Sequence, residues 1–229
     1  MKKTVIITGA TDGIGKALAL LLSKDYNLAL CGRSEEKMKQ LTGELGGCPV
    51  YAECFDITDD AKRHAFCENV RKAFGTVDVL VNNAGANTKK DKIADIGLAD
   101  LRYMFELNCV SAVGMIQEVY PIMKEKQSGL FVNILSSCCL FSNPMAGSYS
   151  ATKDAMEGIS KILTKEAKAD HIGVCNVYPG GVDTNFRPNA NPNYLRPETV
   201  ARMIKTCIEN EDGCVHDIVI RPFIEDNMA

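Results

Sequence analysis

The sequence predicts a doubly wound α/β fold, in which about seven parallel strands form one sheet with helices on both faces. Short runs of β-branched and aliphatic residues recur along the chain, and segments with apolar residues every three or four positions lie between them. A glycine-rich stretch, TGATDGIG at residues 8–15, joins the first strand to the first helix. Strands that alternate with helices form parallel βαβ units with right-handed crossovers, so helices cover both faces of the sheet.

The predicted strands are short apolar runs rich in residues that favour extended backbone. They are residues 4–7, 27–31, 50–54, 77–81, 130–135, 173–178 and 217–221. No linker, repeat or low-complexity segment interrupts the order of elements, and 229 residues is within the range of one α/β domain. We therefore expect a single domain that covers residues 1–229.

The predicted helices show apolar residues at helical spacing. They are residues 14–22, 35–45, 59–74, 98–123, 148–169 and 197–209. In the last of them, Pro197 suits the first turn and Glu198 lies at the positive end of the helix. Residues 185–197, rich in Pro and Asn, are predicted to form a surface loop at the carboxyl edge of the sheet, where ligands of such folds bind.

The composition is that of a globular protein, with 46% hydrophobic and 24% charged residues. The formal net charge of −3 provides no basic field for nucleic acid or an anionic membrane. The aliphatic runs are too short to cross a bilayer, and the first one ends at Thr8-Gly9, too early for a signal peptide. We expect a cytoplasmic protein that binds neither nucleic acid nor a membrane.

The ten cysteines are scattered, mostly within apolar stretches. No C-x-x-C motif occurs, and the three histidines do not pair at the spacing of metal ligands. A chain of this size does not need disulfides to stabilise its core. Free thiols in a reducing compartment and no metal site are therefore expected.

The glycine-rich stretch has the features of a phosphate-binding turn. Gly9 permits the tight turn out of the strand, Gly13 lets the backbone approach a pyrophosphate, and Gly15 lets the helix pack close to the sheet. The N-terminus of the helix offers unpaired N–H groups and the positive end of its dipole. Any strand-to-helix turn can use glycine, but this position at the first strand favours a nucleotide site.

Three more motifs follow in order: NNAG at residues 82–85, YSATK at residues 149–153 and PGGVDT at residues 179–184. With the glycine-rich turn they span most of the chain. In this set the chain resembles a compact, single-domain member of the short-chain dehydrogenase/reductase family. The resemblance implies a Rossmann fold and an NAD(P)-dependent oxidoreductase.

The resemblance also implies which residues contact the coenzyme. Asp56 and Ile57 would flank the adenine, although Asp56 also suits an Asx turn. The Val182 backbone and the Thr184 hydroxyl would hold the nicotinamide carboxamide. The whole implied set is Gly9, Thr11, Asp12, Gly13, Ile14, Gly15, Arg33, Asp56, Ile57, Asn83, Ala84, Gly85, Tyr149, Lys153, Pro179, Gly180, Val182 and Thr184.

The end of the second strand indicates which coenzyme is preferred. An acidic residue there binds the ribose 2′-OH of NAD, whereas this chain has Gly32 and Arg33, and an arginine fork matches a 2′-phosphate. Lys37, one helical turn later, could add charge. Asp12 is a departure, because some NADP-preferring relatives carry a basic residue before the middle glycine. We expect NADP(H) to be preferred with NAD(H) possible; the alternative for Arg33 is a solvated surface residue.

Tyr149 and Lys153 are the candidate catalytic pair. At positions i and i+4 of a helix, their side chains project from one face about 6 Å apart. A phenol titrates near pH 10, and a neighbouring ammonium favours the phenolate, so the tyrosine can exchange a proton with a carbonyl or alcohol oxygen. The spacing alone is common on helical surfaces, and the upstream motifs make the assignment.

Ser136 and Asn108 complete the implied catalytic set. Ser136 lies three residues after Asn133 and thirteen before Tyr149, as in the family, whereas Leu135 replaces the usual first serine. Ser136 would donate to the substrate oxygen with Ser137 as its neighbour or substitute; the alternative for either is a helix or turn cap. Asn108 would interrupt its helix and hold a water that links Lys153 to solvent; the alternative is a surface amide.

The expected activity is that of an NADPH-dependent carbonyl reductase acting on a ketone or aldehyde. The alternatives are an NAD(P)-dependent alcohol dehydrogenase for a hydroxysteroid, 3-hydroxyacyl or sugar alcohol, and a non-catalytic protein that senses NADP(H). The substrate pocket would be lined by residues 86–96, 138–145 and 185–196. Cys138 and Cys139 are expected to be small residues that fill space there; the alternative is that they sense oxidants. The resemblance further implies a homo-oligomer, a tetramer or dimer, packed through the helices at residues 98–123 and 148–169.

Overall fold

The computed structural model describes residues 2–186 and 190–225, and within them seven strands form one parallel sheet. The strand order is β3-β2-β1-β4-β5-β6-β7, which confirms the predicted doubly wound α/β fold. The strands are β1 (Thr4–Thr8), β2 (Asn27–Gly32), β3 (Val50–Cys54), β4 (Val79–Asn82), β5 (Gly129–Ile134), β6 (Ile172–Pro179) and β7 (Asp217–Ile220). β4 begins two residues later than predicted. Val77 is buried but lies before the strand, so its apolar side chain alone suggested the earlier start.

Helices lie between the strands as the apolar spacing predicts. They are α1 (Gly13–Leu22), α2 (Glu35–Glu44), α3 (Asp60–Phe74), α4 (Leu98–Phe105), α5 (Ser111–Glu125), α6 (Gly147–Glu166) and α7 (Pro197–Glu209). Side-chain caps fix the starts of three of them: Asp12 caps α1, Ser34 caps α2 and Asp59 caps α3. Among these described helices none is long and apolar enough to span a membrane.

The predicted helix at residues 98–123 is not continuous. A five-residue π-helical segment, Glu106–Val110, separates α4 from α5, and Asn108 lies at its centre. The apolar period continues through this segment, so the sequence pattern alone reads as one helix. The extra residue of a π turn is common at functional sites.

The sheet has a hydrophobic layer on each face because alternate strand residues point in opposite directions. Ile6, Leu80 and Phe131 pack with the layer that contains α3, α5 and α6. Val5 and Val81 pack with the opposite layer, which contains α1, α2 and α7. Both layers are fully buried at the centre, so the carboxyl ends of the strands are held on a rigid base.

A ladder of polar side chains attaches α6 to the sheet. Asn82, Asn133 and Asn176 are neighbours in register on three adjacent strands, and Asp217 follows on β7. Asn82 donates to Asn133 (2.9 Å), Asn133 donates to Ser160 of α6 (2.9 Å), and Ser160 donates to Asn176 (2.5 Å). Asn176 then donates to the Asp217 carboxylate (3.1 Å). The ladder fixes the position of α6 along β5 and β6.

Candidate active site

The glycine-rich turn lies where the strand order reverses, between β1 and β4. Gly9 and Gly13 have φ angles of +63° and +51°, which favour glycine. A Cβ on Gly15 would lie 2.5 Å from the Gly9 carbonyl oxygen, so only glycine allows α1 to approach the turn this closely. Thr11 and Ile14 are partly exposed on the same turn. The turn therefore has the open backbone surface that a pyrophosphate requires.

A second motif locks the glycine-rich turn in place. The Asn83 side chain donates to the carbonyls of Thr8 (2.9 Å) and Gly9 (3.1 Å). The Thr8 hydroxyl accepts from the backbone N–H groups of Asn83 and Ala84, both at 3.0 Å. Thr8 was not among the predicted site residues, although its place at the end of the first strand was a usable signal. The NNAG segment thus fixes the glycine-rich turn at the end of β1 beside the end of β4.

Asp12 is the hub of the contacts at the start of α1. Its carboxylate accepts from the Gly13 N–H (2.8 Å) and from the Asn185 amide (3.0 and 3.2 Å), and it forms an ion pair with Lys37. Partial burial acts to raise the pKa of Asp12, but the hydrogen bonds from Lys37, Asn185 and Gly13 outweigh it and lower that pKa. The carboxylate is therefore ionised at neutral pH.

The residues predicted at the adenosine end lie at the ends of β2 and β3. Arg33 is exposed and, among the described residues, has no hydrogen bond or ion pair. Asp56 accepts from the backbone N–H (3.0 Å) and the hydroxyl (2.9 Å) of Thr58, as the Asx-turn alternative predicts. The first of these hydrogen bonds holds the pKa of Asp56 below its ordinary value. Ile57 is buried, and its carbonyl accepts from Arg63 (2.6 Å).

The structure brings Tyr149 and Lys153 together on α6, at the carboxyl edge of the sheet. The Lys153 Nζ lies 5.9 Å from the centroid of the Tyr149 ring and donates to the Ile134 carbonyl at the end of β5 (2.7 Å). Lys153 is 5% exposed, and burial lowers its pKa to about 8, against the opposite effect of nearby thiols. The amine is therefore mostly protonated at neutral pH and becomes neutral just above it.

Phe186 lies next to Tyr149 of the candidate catalytic pair. Its ring centroid is 5.8 Å from that of Tyr149, with the planes tilted by 60°. This residue belongs to the loop predicted to line the substrate pocket, of which residues 187–189 lie outside the described residues. Phe186 was not singled out from the sequence, because a loop residue has no periodic pattern that indicates its direction.

Asn108 reaches the site from the π-helical segment. Its Oδ1 accepts from the Ala86 N–H (2.8 Å), and its Nδ2 donates to the Ala86 carbonyl (2.9 Å) and to Thr152 (3.0 Å). A Cβ on Gly85 would lie 2.9 Å from Asn108 Oδ1 and 3.5 Å from Lys153 Nζ. Asn108 is thus 2% exposed rather than a surface amide, and it joins Ala86, the residue after NNAG, to the helix of the candidate catalytic pair.

Ser136 follows β5 and begins a short 3₁₀ turn, Ser137–Cys139. Its Oγ accepts from the Cys138 N–H (3.2 Å), so it is a turn cap, while it remains partly exposed. Ser137 is 7% exposed and therefore less accessible to a substrate.

Hydrogen bonding to Cys139, Ser136 and Ser150 lowers the pKa of the buried Cys138 thiol to about 6. All ten cysteines are free thiols.

The PGG turn after β6 is clamped from both sides. Gly180 donates to the Ile220 carbonyl (2.8 Å), and Gly181 donates to the Glu225 carboxylate (2.8 Å). Val182 pairs with Leu195 in a parallel bridge that closes the loop between them. Thr184 lies over the glycine-rich turn, since a Cβ on Gly13 would be 3.1 Å from its methyl group. Pro179 ends β6 and is buried. Glu225 was missed, because nothing in the sequence connects it to the turn.

The switch point, the glycine-rich turn and the residues at the carboxyl edge define a protein of the dinucleotide-binding α/β class. The family model described as short chain dehydrogenase matches residues 3–195. An uncharacterized oxidoreductase of Staphylococcus aureus is 29% identical over 225 residues, covering 96% of this chain and 97% of that protein. Dehydrogenase/reductase SDR family member 7B of Mus musculus is 32% identical over 196 residues, covering 81% of this chain and 59% of the mouse protein.

A solved structure is similar over nearly the whole chain. It is an alcohol dehydrogenase from the archaeon Thermococcus sibiricus, complexed with 5-hydroxy-NADP. The identity is 26%, the TM-score is 0.91, and the match covers 97% of each chain. The protein therefore belongs to the short-chain dehydrogenase/reductase family of oxidoreductases, and the resemblance inferred from its four motifs is confirmed.

Proposed function

We propose that this oxidoreductase is an NADPH-dependent carbonyl reductase that acts on a ketone or aldehyde of a small molecule. The observation that carries the proposal is the pairing of Tyr149 with a buried Lys153 beside the glycine-rich crevice. When bound, the coenzyme would supply the hydride. The residues of this chain orient the substrate oxygen and supply its proton.

Each catalytic residue has a role that its position supports. The Tyr149 hydroxyl donates the proton to the carbonyl oxygen, and Ser136 donates a hydrogen bond to the same oxygen. Lys153, whose amine is held by the Ile134 carbonyl, places a positive charge next to Tyr149. Asn108 forms hydrogen bonds to Ala86 and Thr152 next to Lys153. A water held by Asn108 can return a proton to Lys153.

The burial of Lys153 supports its role in proton transfer. Because its pKa is lowered to about 8, the amine can give up and regain a proton near neutral pH. A lysine fully exposed to water would hold its proton too tightly to do so. The same burial also keeps the amine within 5.9 Å of the Tyr149 ring.

Arg33 supports the preference for NADP(H). It follows β2, where the ribose of a dinucleotide binds in this fold, and it is exposed and forms no ion pair among the described residues. The similar archaeal dehydrogenase was solved with 5-hydroxy-NADP. NAD(H) remains the second coenzyme to assay, since no repulsive residue excludes it.

The quaternary structure and location are further parts of the proposal. Val110, Ile159 and Ile162 expose 44%, 39% and 55% of their surface on the helices that relatives use for association. Such an apolar set supports a homo-oligomer, a dimer or tetramer. A location in the cytoplasm is consistent with the ten free thiols. The single seven-stranded sheet supports one domain over residues 1–229.

The decisive test is Tyr149→Phe, with Tyr120→Phe as its control. Tyr120 loses an equivalent hydroxyl, but that hydroxyl bonds Asp170, far from the carboxyl edge of the sheet. We expect Tyr149→Phe to bind NADPH with unchanged affinity and to lose at least about 1,000-fold in kcat on a panel of ketones and aldehydes. Tyr120→Phe should retain the activity of the parent protein. Turnover near the parent level in Tyr149→Phe would contradict the proposed chemistry and favour a protein that only binds the dinucleotide.

The alternative direction, alcohol oxidation, is favoured by the likeness to an archaeal alcohol dehydrogenase. The same residues serve both directions, because Tyr149 can accept a proton from an alcohol as well as donate one. Measuring kcat/KM for matched ketone and alcohol pairs, with NADPH and NADP⁺, distinguishes the two. A higher value for oxidation at neutral pH would identify a dehydrogenase.

A further inference from the structure

The carboxylate of Asp12 occupies groups that this class of fold normally offers to an anionic ligand. It caps α1 and accepts from the Gly13 N–H at 2.8 Å. The unpaired N–H groups and the positive dipole end of a first helix bind phosphate in dinucleotide folds. A negative side chain is thus built into the N-terminus that a pyrophosphate approaches.

The same carboxylate also engages the nearest cation of α2. Lys37 lies in the first turn of α2, directly after β2, and its amine forms an ion pair with Asp12. The pair is partly exposed, with 47% of the lysine side chain and 38% of the aspartate side chain accessible. The ammonium that could bind a 2′-phosphate is therefore held by a carboxylate of the protein.

Asp12 is prevented from turning away. The Asn185 amide donates to both of its oxygens, at 3.0 and 3.2 Å, from the loop that follows the PGG turn. Together with Gly13 and Lys37, donors surround the carboxylate from three elements, and they keep its pKa low. A fixed and fully ionised carboxylate repels any anion that binds beside it.

We propose that Asp12 is a specificity-determining residue, whose carboxylate opposes the extra phosphate of NADP(H) and keeps Lys37 from binding it. The inference rests on the proposed function, in that it needs a dinucleotide in this crevice. Arg33, which forms no ion pair among the described residues although its charge acts on Asp56, then remains the cation that favours NADP(H). The chain discriminates between the two coenzymes less strongly than its arginine alone would allow.

The test measures dissociation constants rather than activity. NADPH and NADH are titrated by fluorescence at one low ionic strength, because screening weakens interactions between exposed charges. The variants are Asp12→Asn, Asp12→Ser, Lys37→Met and the double variant Asp12→Asn with Lys37→Met. Asn and Ser both cap helices, so α1 should keep its start. Glu44→Gln is the matched control, since it removes the carboxylate of the neighbouring Lys16–Glu44 pair, which also joins α1 to α2.

Asp12→Asn and Asp12→Ser should each tighten NADPH about fivefold relative to NADH, as expected for removal of one repulsive charge. Relative to Lys37→Met alone, the double variant should gain less than the single Asp12 variants gain over the parent, because the repulsion is removed but no freed Lys37 is there to bind the phosphate. Glu44→Gln should leave the ratio of the two constants within twofold. An unchanged ratio in both Asp12 variants, or a gain that is as large without Lys37 as with it, overturns the inference. Failure of the parent protein to bind either dinucleotide would instead contradict the proposed function together with it.

Discussion

At the scale of single residues, Lys153 combines burial with a charge. It is 5% exposed, and burial lowers its pKa to about 8. Burying an ammonium costs free energy, and this cost favours the neutral amine and so lowers the pKa. The free energy of unfolding should therefore change with pH as this one amine titrates.

Comparison with Lys153→Met isolates this effect. Lysine in the unfolded chain titrates near about pH 10.4. Between about pH 8 and that value the unfolded chain binds more protons than the folded one, so the free energy of unfolding rises with pH. The parent protein should gain up to about 3 kcal/mol relative to Lys153→Met across this window. Urea unfolding at pH 7, 8.5 and 10 measures the difference; a difference that stays constant with pH would show that the amine titrates normally.

Gly15 is a residue at which a single methyl group should be decisive. The Cβ of alanine there would lie 2.5 Å from the Gly9 carbonyl and 2.6 Å from the Asn83 amide, so the backbone must move. Gly15→Ala should lose at least about 2 kcal/mol of stability, and NADPH binding should weaken more than about tenfold.

Gly43→Ala is the control for Gly15→Ala. Gly43 lies near the end of α2, and a Cβ there would meet nothing within 4 Å. Its replacement should raise the free energy of unfolding by up to about 0.5 kcal/mol and leave NADPH binding unchanged. Equal behaviour of the two variants would mean that the close approach of α1 to the turn is not required.

At the scale of elements, α6 carries the candidate catalytic pair and is held by the polar ladder. Ser160 lies two turns beyond Lys153 and both donates to and accepts from asparagines of the sheet. Ser160→Ala leaves Asn133 and Asn176 without these partners in a buried place, which should cost about 2–3 kcal/mol of unfolding free energy.

Thr164→Ala is the matched variant for that prediction. The Thr164 hydroxyl bonds only the Ser160 carbonyl of its own helix, at 2.9 Å. Its loss should change the free energy of unfolding by less than about 1 kcal/mol. Denaturant unfolding of the two variants decides the matter, and a Ser160→Ala protein as stable as Thr164→Ala would mean that the ladder does not fix α6.

The elements themselves could be predicted from the sequence, but some of their contacts could not. The periods of two and of three to four residues located all seven strands and correctly ordered the helices between them. The interruption of the helix at Asn108 was expected from the family resemblance, whereas the apolar period does not show it because apolar residues continue through the π turn. Glu225 and the Asp12–Lys37 ion pair were missed because they join segments far apart in the chain, and no local pattern reports such distances.

At the scale of the whole molecule, the four motifs converge at one edge of the sheet. NNAG holds the glycine-rich turn through Asn83, and Asn108 joins NNAG to the helix of YSATK. The order of motifs along the chain predicted this meeting, because the carboxyl ends of parallel strands share an edge. The substrate could not be predicted, since loops rather than the sheet determine it.

Association of whole molecules provides the last prediction. Ile162 is 55% exposed in the apolar set on α6. In a homo-oligomer that buries this face, Ile162→Glu should shift the sedimentation coefficient towards that of a 25.0 kDa monomer, because a charge would be buried without a partner. Lys165→Glu, an exposed change on the same helix, should leave the sedimentation coefficient unchanged. A parent protein that already sediments as a monomer would contradict the association.

The π turn at Glu106–Val110 has a consequence for insertions and deletions in this chain. A π turn holds one residue more than a regular helical turn, and each residue of an α-helix rotates the following ones by about 100°. Removing a single residue between α4 and α5 would therefore give a smooth, uninterrupted rod. It would also rotate the Asn108 amide away from Ala86. A shorter chain would therefore have a more regular helix but would lose the hydrogen bonds by which Asn108 connects Ala86 to α6.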